Sequence, residues 1–305
     1  MNAPTARIEE AERIGVHAGQ DGWLFLTGGS NSVLAQYGRP GYRSKSLWRW
    51  RRILAERRRR CAALGIVYGH VVVPEKLTVC DVALHSLPID CNRSPALRLK
   101  RRLLLSGAQR SWIDLVRPFR ASFDTFQIYH KIDTHWTFEG CQLAYEAICQ
   151  HFGVVARSDI TSRRSAELIT FAGDLGSKYN IVRDEIIRSA EFRTEARRVY
   201  ANELLTAMEE KGRGLEAHSG AHVSYRNESA SADPRSLVLF GDSYSQHTPG
   251  PFTGTLTAMF ADTFREFHMI WSPSVDWEYI EKVRPDFVLS EIAERFMVGV
   301  PPKGS

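Results

Sequence analysis

Two short segments of this chain, Asp133-Thr134-His135-Trp136 and Gly241-Asp242-Ser243-Tyr244, hold the residue types of a serine-based acyl-transfer site. A serine hydroxyl is a poor nucleophile until a base within hydrogen-bond reach takes its proton. His135 is the candidate base for Ser243. Asp133, two residues before it, can reach Nδ1 of the ring, hold the imidazole in the useful tautomer and stabilise the imidazolium that forms. The apolar run Leu237-Val238-Leu239-Phe240 reads as a buried strand. Ser243 would therefore stand where a strand ends and a turn begins. There the backbone beyond the last ladder bond is free to point N–H groups at a substrate.

Each segment also has a plainer reading. An isolated Asp-x-His is more often a helix cap followed by a core histidine. Gly-Asp-Ser after a strand is often only a turn, since Asp and Ser also cap helices. It is the joint presence of the two, each at the end of a strand, that argues for one shared site. Asp242 is expected to bond the backbone of its own turn. His247 is a rival base, but it lies one turn beyond the nucleophile if a helix follows, and it reads as a surface histidine.

These residues need elements to position them. Asp21-Gly22 followed by Trp23-Leu24-Phe25-Leu26 and Gly28-Gly29 reads as turn, short strand and turn. From Lys45 to Leu64 the residues Leu47, Trp50, Ile53, Leu54, Cys61 and Leu64 recur at mostly helical spacing, which predicts an amphipathic helix. Ile66 to Val73 is a β-branched strand ending at Pro74-Glu75-Lys76. Helices are expected over Ala96–Leu105, Trp112–Val116 and Phe138–Phe152, the last closed by Gly153. A short strand over Phe126–Tyr129 would deliver Asp133 and His135. Ser229 to Pro234 is expected to be a loop before the Ser243 strand. A helix over Phe252–Phe260 and strands over Phe267–Trp271 and Asp286–Glu291 follow. Strands alternating with helices predict an α/β fold with a mainly parallel sheet. With no clean linker, residues 1–305 are expected to form a single domain with a less regular insertion around 160–234.

Composition bounds the partners. Of 305 residues, 43% are hydrophobic and 25% charged, which is ordinary for a globular protein able to bury a large core. The net charge of +5 mildly favours an anionic partner without naming one. The five cysteines (Cys61, Cys80, Cys91, Cys141 and Cys149) form no C-x-x-C pair, which argues against a disulfide framework and a structural zinc site. The opening MNAPTARIEEAERIG lacks an apolar signal core, and no apolar stretch nears the length of a membrane span. The chain is therefore expected in the cytoplasm, and in the periplasm only as a processed form.

The ordered motifs resemble a known family. Gly-Asp-Ser-Tyr at 241–244 paired with Asp-Thr-His-Trp-Thr at 133–137 is similar to the SGNH hydrolase-like acyltransferases of the alginate O-acetyltransferase (AlgJ/AlgX-like) type. Gln20-Asp21-Gly22-Trp23-Leu24-Phe25-Leu26, Val73-Pro74-Glu75-Lys76, Gly173-Asp174-Leu175-Gly176 and Glu291-Ile292-Ala293-Glu294-Arg295-Phe296 resemble further segments of that family. The resemblance implies an SGNH hydrolase-like three-layer α/β/α sandwich in circularly permuted order, with the Asp-His segment before the serine. It makes Ser243 the nucleophile, His135 the base and Asp133 its orienter. Exported members carry a signal sequence or anchor, and neither is expected from the residues of this sequence.

An oxyanion hole needs two or three donors aimed where charge develops. The Ser243 backbone N–H is the first, and Gly176 and Asn180 are candidates for others, although Gly173 to Gly176 also reads as a plain turn. Arg295 either binds an anionic substrate group or, as its spacing favours, pairs with Glu291. Lys76 reads either as a site residue or as a solvated turn residue. The arginine-rich run Trp48–Arg60 suits nucleic acid in composition, but its place on an amphipathic helix favours a solvated face. Neither a phosphate-cradling loop nor a further ligand for a metal at Asp133 and His135 is visible.

The expected activity is O-acyl transfer, foremost O-acetyl transfer, to a carbohydrate hydroxyl through an acyl-enzyme on Ser243. The alternatives are an esterase using the same residues and a non-catalytic module that holds an anionic glycan. No bound cofactor is expected. Acetyl-coenzyme A would suit a cytoplasmic donor and a partner protein could deliver the acyl group, yet no residue identifies either.

Overall fold

The computed structural model describes residues 9, 13–38, 44–80, 83–84, 87–104, 106–176 and 184–305. Its strands are β1 (Val16–Ala18), β2 (Leu24–Leu26), β3 (Val67–Val73), β4 (Trp112–Ile113), β5 (Leu168–Phe171), β6 (Glu185–Arg188), β7 (Arg197–Ala201), β8 (His222–Arg226), β9 (Asp233–Gly241), β10 (Phe264–Trp271) and β11 (Phe287–Ala293). The helices that pack on them are α1 (Ser44–Ala63), α2 (Pro95–Leu103), α3 (Val116–Ser122), α4 (Phe138–Phe152), α5 (Glu203–Glu209), α6 (Leu256–Thr263) and α7 (Trp277–Val283).

Seven strands form the central sheet in the order β4-β3-β11-β9-β10-β8-β7. The pairs among β4, β3, β11, β9 and β10 are parallel, and β8 and β7 extend the sheet antiparallel. Side chains alternate across a strand, so an apolar run buried on both faces serves two cores at once. In β9, Leu237 and Leu239 join the core with Phe138, Tyr145, Met259 and Phe260 of α4 and α6. Val238 and Phe240 face the opposite core, with Trp50 and Leu54 of α1, Leu99 of α2 and Ile280 of α7. This two-sided burial makes the three-layer α/β/α arrangement. β9 is the middle strand of the seven, flanked by β11 and β10, and Ser243 lies just beyond its carboxyl end.

Local signals set several boundaries. Helix α4 begins where Thr137 Oγ1 accepts the Gly140 N–H at 3.1 Å and ends at Gly153, which takes the left-handed φ of 62°. Helix α6 starts at Leu256 and not at Phe252, because Thr255 caps it and Gly250, Pro251 and Gly254 keep the preceding residues irregular. Trp112, expected in a helix, opens β4 instead. Its β-bridge to His70 adds an edge to the sheet, and helix α3 begins only at Val116. The strand expected over Phe126–Tyr129 is reduced to one bridge between Tyr129 and Trp136. The expected loop at Ser229–Pro234 is already strand from Asp233 onward. The region around 160–234 holds the β5–β6 hairpin and supplies β7 and β8 to the sheet. Among the described residues no helix is long and apolar enough to cross a membrane.

Candidate active site

The turn after β9 is built on a buried carboxyl. Gly241 has no room for a side chain: a Cβ there would lie 2.6 Å from Ser245 Oγ and 2.8 Å from Glu291 Oε2. Glu291 Oε2 accepts the Asp242 N–H at 3.0 Å and the Ser245 hydroxyl at 2.7 Å. Burial, followed by the neighbouring Asp242 charge, pushes the Glu291 carboxyl well above its ordinary range, which favours its protonated form. Asp242 is structural, as its sequence position suggested. Its carboxylate accepts the Tyr244 N–H at 3.1 Å and the Ala293 N–H at 2.7 Å, tying the turn to the end of β11. Ser243 projects from this pinned turn. Its own N–H donates to no group among the described residues, so it is available to a ligand.

The Asp133–His135 loop is pinched shut by its own backbone. The His130 N–H donates to His135 O at 3.2 Å and the Thr137 N–H to Ile128 O at 2.8 Å. Lys76 holds the loop from below, donating to the carbonyls of His130 and Lys131 at 3.0 Å each. It is buried, not solvated, and burial pushes its ammonium down to about 8. The ring of Tyr244 lies against His135 and Trp136, and its hydroxyl donates to Thr134 O at 2.7 Å. The residue after the nucleophile thereby locks the two segments together.

These supports bring Ser243, His135 and Asp133 into one hydrogen-bonded line. The Ser243 hydroxyl donates to His135 Nε2 at 2.8 Å, and His135 Nδ1–H donates to Asp133 Oδ1 at 2.8 Å. The tautomer follows from the partners, because the carboxylate can only accept. Asp133 also accepts the His135 N–H and the Asp174 N–H, each at 2.7 Å. Burial alone would raise the Asp133 carboxyl; the His135 ring and these N–H groups instead hold it well below the usual carboxylate range. Burial alone would likewise lower His135, but the Asp133 carboxylate beside it outweighs burial and raises the imidazole.

Asp174 is the residue that sequence reasoning missed, although it stands inside the Gly-Asp-Leu-Gly segment. Its side chain accepts the Thr134 N–H at 2.7 Å and the Thr134 hydroxyl at 2.6 Å, while its own N–H holds Asp133. The signal was the proximity of a third acid to the motif pair, which only folding supplies. Asp133, His135 and Asp174 place potential metal-ligand atoms within 4.8 Å of one another, so a third candidate ligand does arrive. Each carboxylate oxygen is already occupied by an N–H or O–H donor within this network.

Other expectations change. The Gly176 N–H is not an oxyanion donor, because it donates to Ile132 O at 3.0 Å and so braces the Asp133 loop. Gly173, at φ 55°, lies so close to Ile132 O that a Cβ would sit 2.3 Å away. Asn180 lies outside the described residues. Arg295 is buried, and pairs with Glu75 at 2.8 Å instead of Glu291, with a longer contact of 3.4 Å to the Tyr244 hydroxyl. It supports Tyr244 from behind and is not among the residues that line the cleft at Ser243. His247 is fully buried, not a surface residue, and its Nε2–H donates to Gly214 O at 2.9 Å, away from Ser243.

Ser243 and His135 open into a cleft of about 220 Å³, whose other walls include Leu215, His218, Gln246 and Trp271. His218 stacks on Trp271 with ring centroids 4.6 Å apart. Gln246 sits at the left-handed φ of 33°, a strained conformation for a residue with a side chain, and strain of this kind collects at working sites.

The serine at the carboxyl end of a central parallel strand, facing an imidazole carried by a preceding loop, defines an SGNH hydrolase-like protein. The chain belongs to the family described as SGNH hydrolase-like domain, acetyltransferase AlgX, whose model matches residues 16–266. Solved structures share the fold at low identity. PatB1 of Bacillus cereus superposes with a TM-score of 0.63 at 14% identity, over 94% of this chain and 99% of that one. The O-acetyltransferase domain of AlgJ from Pseudomonas putida gives 0.57 at 14% identity, over 95% of each chain. A DHHW family protein from Eubacterium siraeum gives 0.56 at 16% identity, covering 92% of this chain and 90% of that one. No curated protein matches the chain in sequence.

Proposed function

We propose that this protein is a serine-dependent O-acetyltransferase acting on carbohydrate hydroxyls. The observation that carries the reading is the line Asp133–His135–Ser243, with both links at 2.8 Å, in a chain of an acetyltransferase family. Ser243 Oγ attacks the carbonyl of the acyl donor while His135 Nε2 takes its proton. The Ser243 N–H, which donates to no group among the described residues, meets the developing oxyanion. Collapse expels the donor's leaving group, protonated by His135, and leaves an acetyl ester on Ser243. A sugar hydroxyl, deprotonated by the same Nε2, then attacks that ester and regenerates the serine.

Water in the last step would make the protein an esterase on identical residues. Family membership and the similarity in fold to an O-acetyltransferase domain favour transfer. A chromogenic acetyl ester incubated with and without oligosaccharides separates the two. Acceptor-dependent release of chromophore together with acetylated sugar is expected. Hydrolysis indifferent to every acceptor would leave the esterase.

A further inference from the structure

The cleft at Ser243 is not the largest cavity. A second one, of about 460 Å³, shares Gly250, Thr253 and Thr255 with it, so this irregular segment between β9 and α6 forms a wall of both. Its surface is mostly carbon, from Phe138, Phe192, Ala258, Met259 and Ala261. Three of the polar groups that reach it are already committed. Arg163 is ion-paired to Asp262 at 2.5 Å, the Thr194 hydroxyl donates to the same carboxylate at 3.0 Å, and the Tyr225 hydroxyl donates to His247 O at 3.1 Å. Glu191 and Arg193 lie exposed at the mouth. A sugar in this space would find few partners away from the mouth, whereas an alkyl chain needs none and would gain roughly fourfold in affinity for each methylene it buries.

We propose that this second cavity is an acyl-chain pocket, and that Ser243 accepts acyl groups longer than acetyl whose tails lie along the shared 250–255 segment. The inference rests on the reading of Ser243 as the acyl acceptor. In the step, the Ser243 Oγ–acyl carbon bond forms, the carbon–oxygen bond to the donor's leaving group breaks, and the serine proton passes through His135 Nε2 to that leaving group. The same chemistry serves acetate and hexanoate; only the room for the tail differs.

The test compares p-nitrophenyl acetate and p-nitrophenyl hexanoate with the wild-type chain, Ala258→Trp, which fills the cavity from the first turn of α6, and Phe192→Ala, which enlarges it. Ala258→Trp should lower the hexanoate-to-acetate ratio of kcat/KM by about tenfold or more while acetate turnover stays within about twofold. Phe192→Ala should raise that ratio. A ratio unchanged in both variants, with acetate still turned over, would overturn the pocket and leave the role of Ser243 standing. Binding of p-nitrophenyl hexanoate to Ser243→Ala, followed by ligand-observed NMR, is independent of turnover. Binding abolished by adding Ala258→Trp supports the pocket even if no ester is hydrolysed, an outcome that would instead sink the acyl-enzyme. Binding of hexanoate ester that is indifferent to Ala258→Trp overturns the pocket.

Discussion

His135 can take a proton from Ser243 only while its Nε2 is bare, and the Asp133 carboxylate that orients the ring also makes it more basic. The sign of the pH dependence follows. Activity should fall as pH drops through a histidine pKa that lies above its ordinary value, so the acid limb of kcat/KM should appear above about pH 6.5. A rate that is flat from pH 5 to 8 would remove His135 as the base. Asp133→Asn keeps the shape but withdraws the charge and favours the wrong tautomer. It should lower kcat by roughly 10³–10⁴-fold and move the residual acid limb to lower pH. Ser243→Ala and His135→Ala should each abolish transfer with little change in melting temperature, read by product assay and calorimetry side by side. These three residues were legible because acyl chemistry restricts the residue types and the strand-end signals restrict the place. His247 was misread as a surface residue, the solvated reading of Lys76 fails, and Arg295 was given the wrong acid as its partner. Their burial depends on partners far along the chain, such as Glu75 for Arg295, a separation of 220 residues.

At the scale of elements, the turn that presents Ser243 depends on the end of β11 as much as on β9. Glu291 lies in a strand buried along its whole length, Phe287–Ala293, with its carboxyl under the turn and the protonated form favoured. With that carboxyl neutral, Glu291→Gln should preserve the acceptor for Asp242 N–H and Ser245, and leave thermal stability nearly unchanged. Glu291→Ala strands those donors and should cost about 1–3 kcal/mol, with activity falling as the turn loosens. Equal destabilisation by both variants in denaturant titrations would mean the carboxyl is ionised. Gly241→Ala should destabilise by a similar amount, about 1–3 kcal/mol, since the added methyl meets Glu291 and Ser245. The strand β9 and helix α4 were readable from apolar runs and caps. The Asp133 loop was not, because a single bridge between Tyr129 and Trp136 shapes it where a regular strand was expected. The arginine run on α1 is partly structural as well. Arg57 is buried, donating to Ser305 O at 3.0 Å and Pro273 O at 2.8 Å, and Arg60 lies over the Trp277 ring.

Across the whole molecule, the two cores share one sheet, and three thiols report on them separately. Cys61 is buried in the core under α1, and Cys141 and Cys149 are buried in the opposite core under α4. Burial pushes the Cys61 and Cys149 thiols up to about 12 and Cys141 well above its usual range. The thiolate is the reactive species, so none of the three should be alkylated in the native protein. Adjacent residues of β9, β3 and β11 face alternate cores, which means that neither face can dissolve while the sheet stays intact for the other. The single domain expected from the sequence predicts one transition. Pulse alkylation with iodoacetamide along a guanidinium series, read by peptide mass spectrometry, should expose Cys61, Cys141 and Cys149 at the same midpoint, coincident with loss of far-ultraviolet circular dichroism. Labelling of Cys61 at a clearly lower denaturant concentration would divide the molecule into two cooperative units. The site at the end of β9 would then rest on the more stable of them, because His135 approaches from the α4 side and the carboxyl under the turn comes from the neighbouring strand β11, which pairs with both β3 and β9.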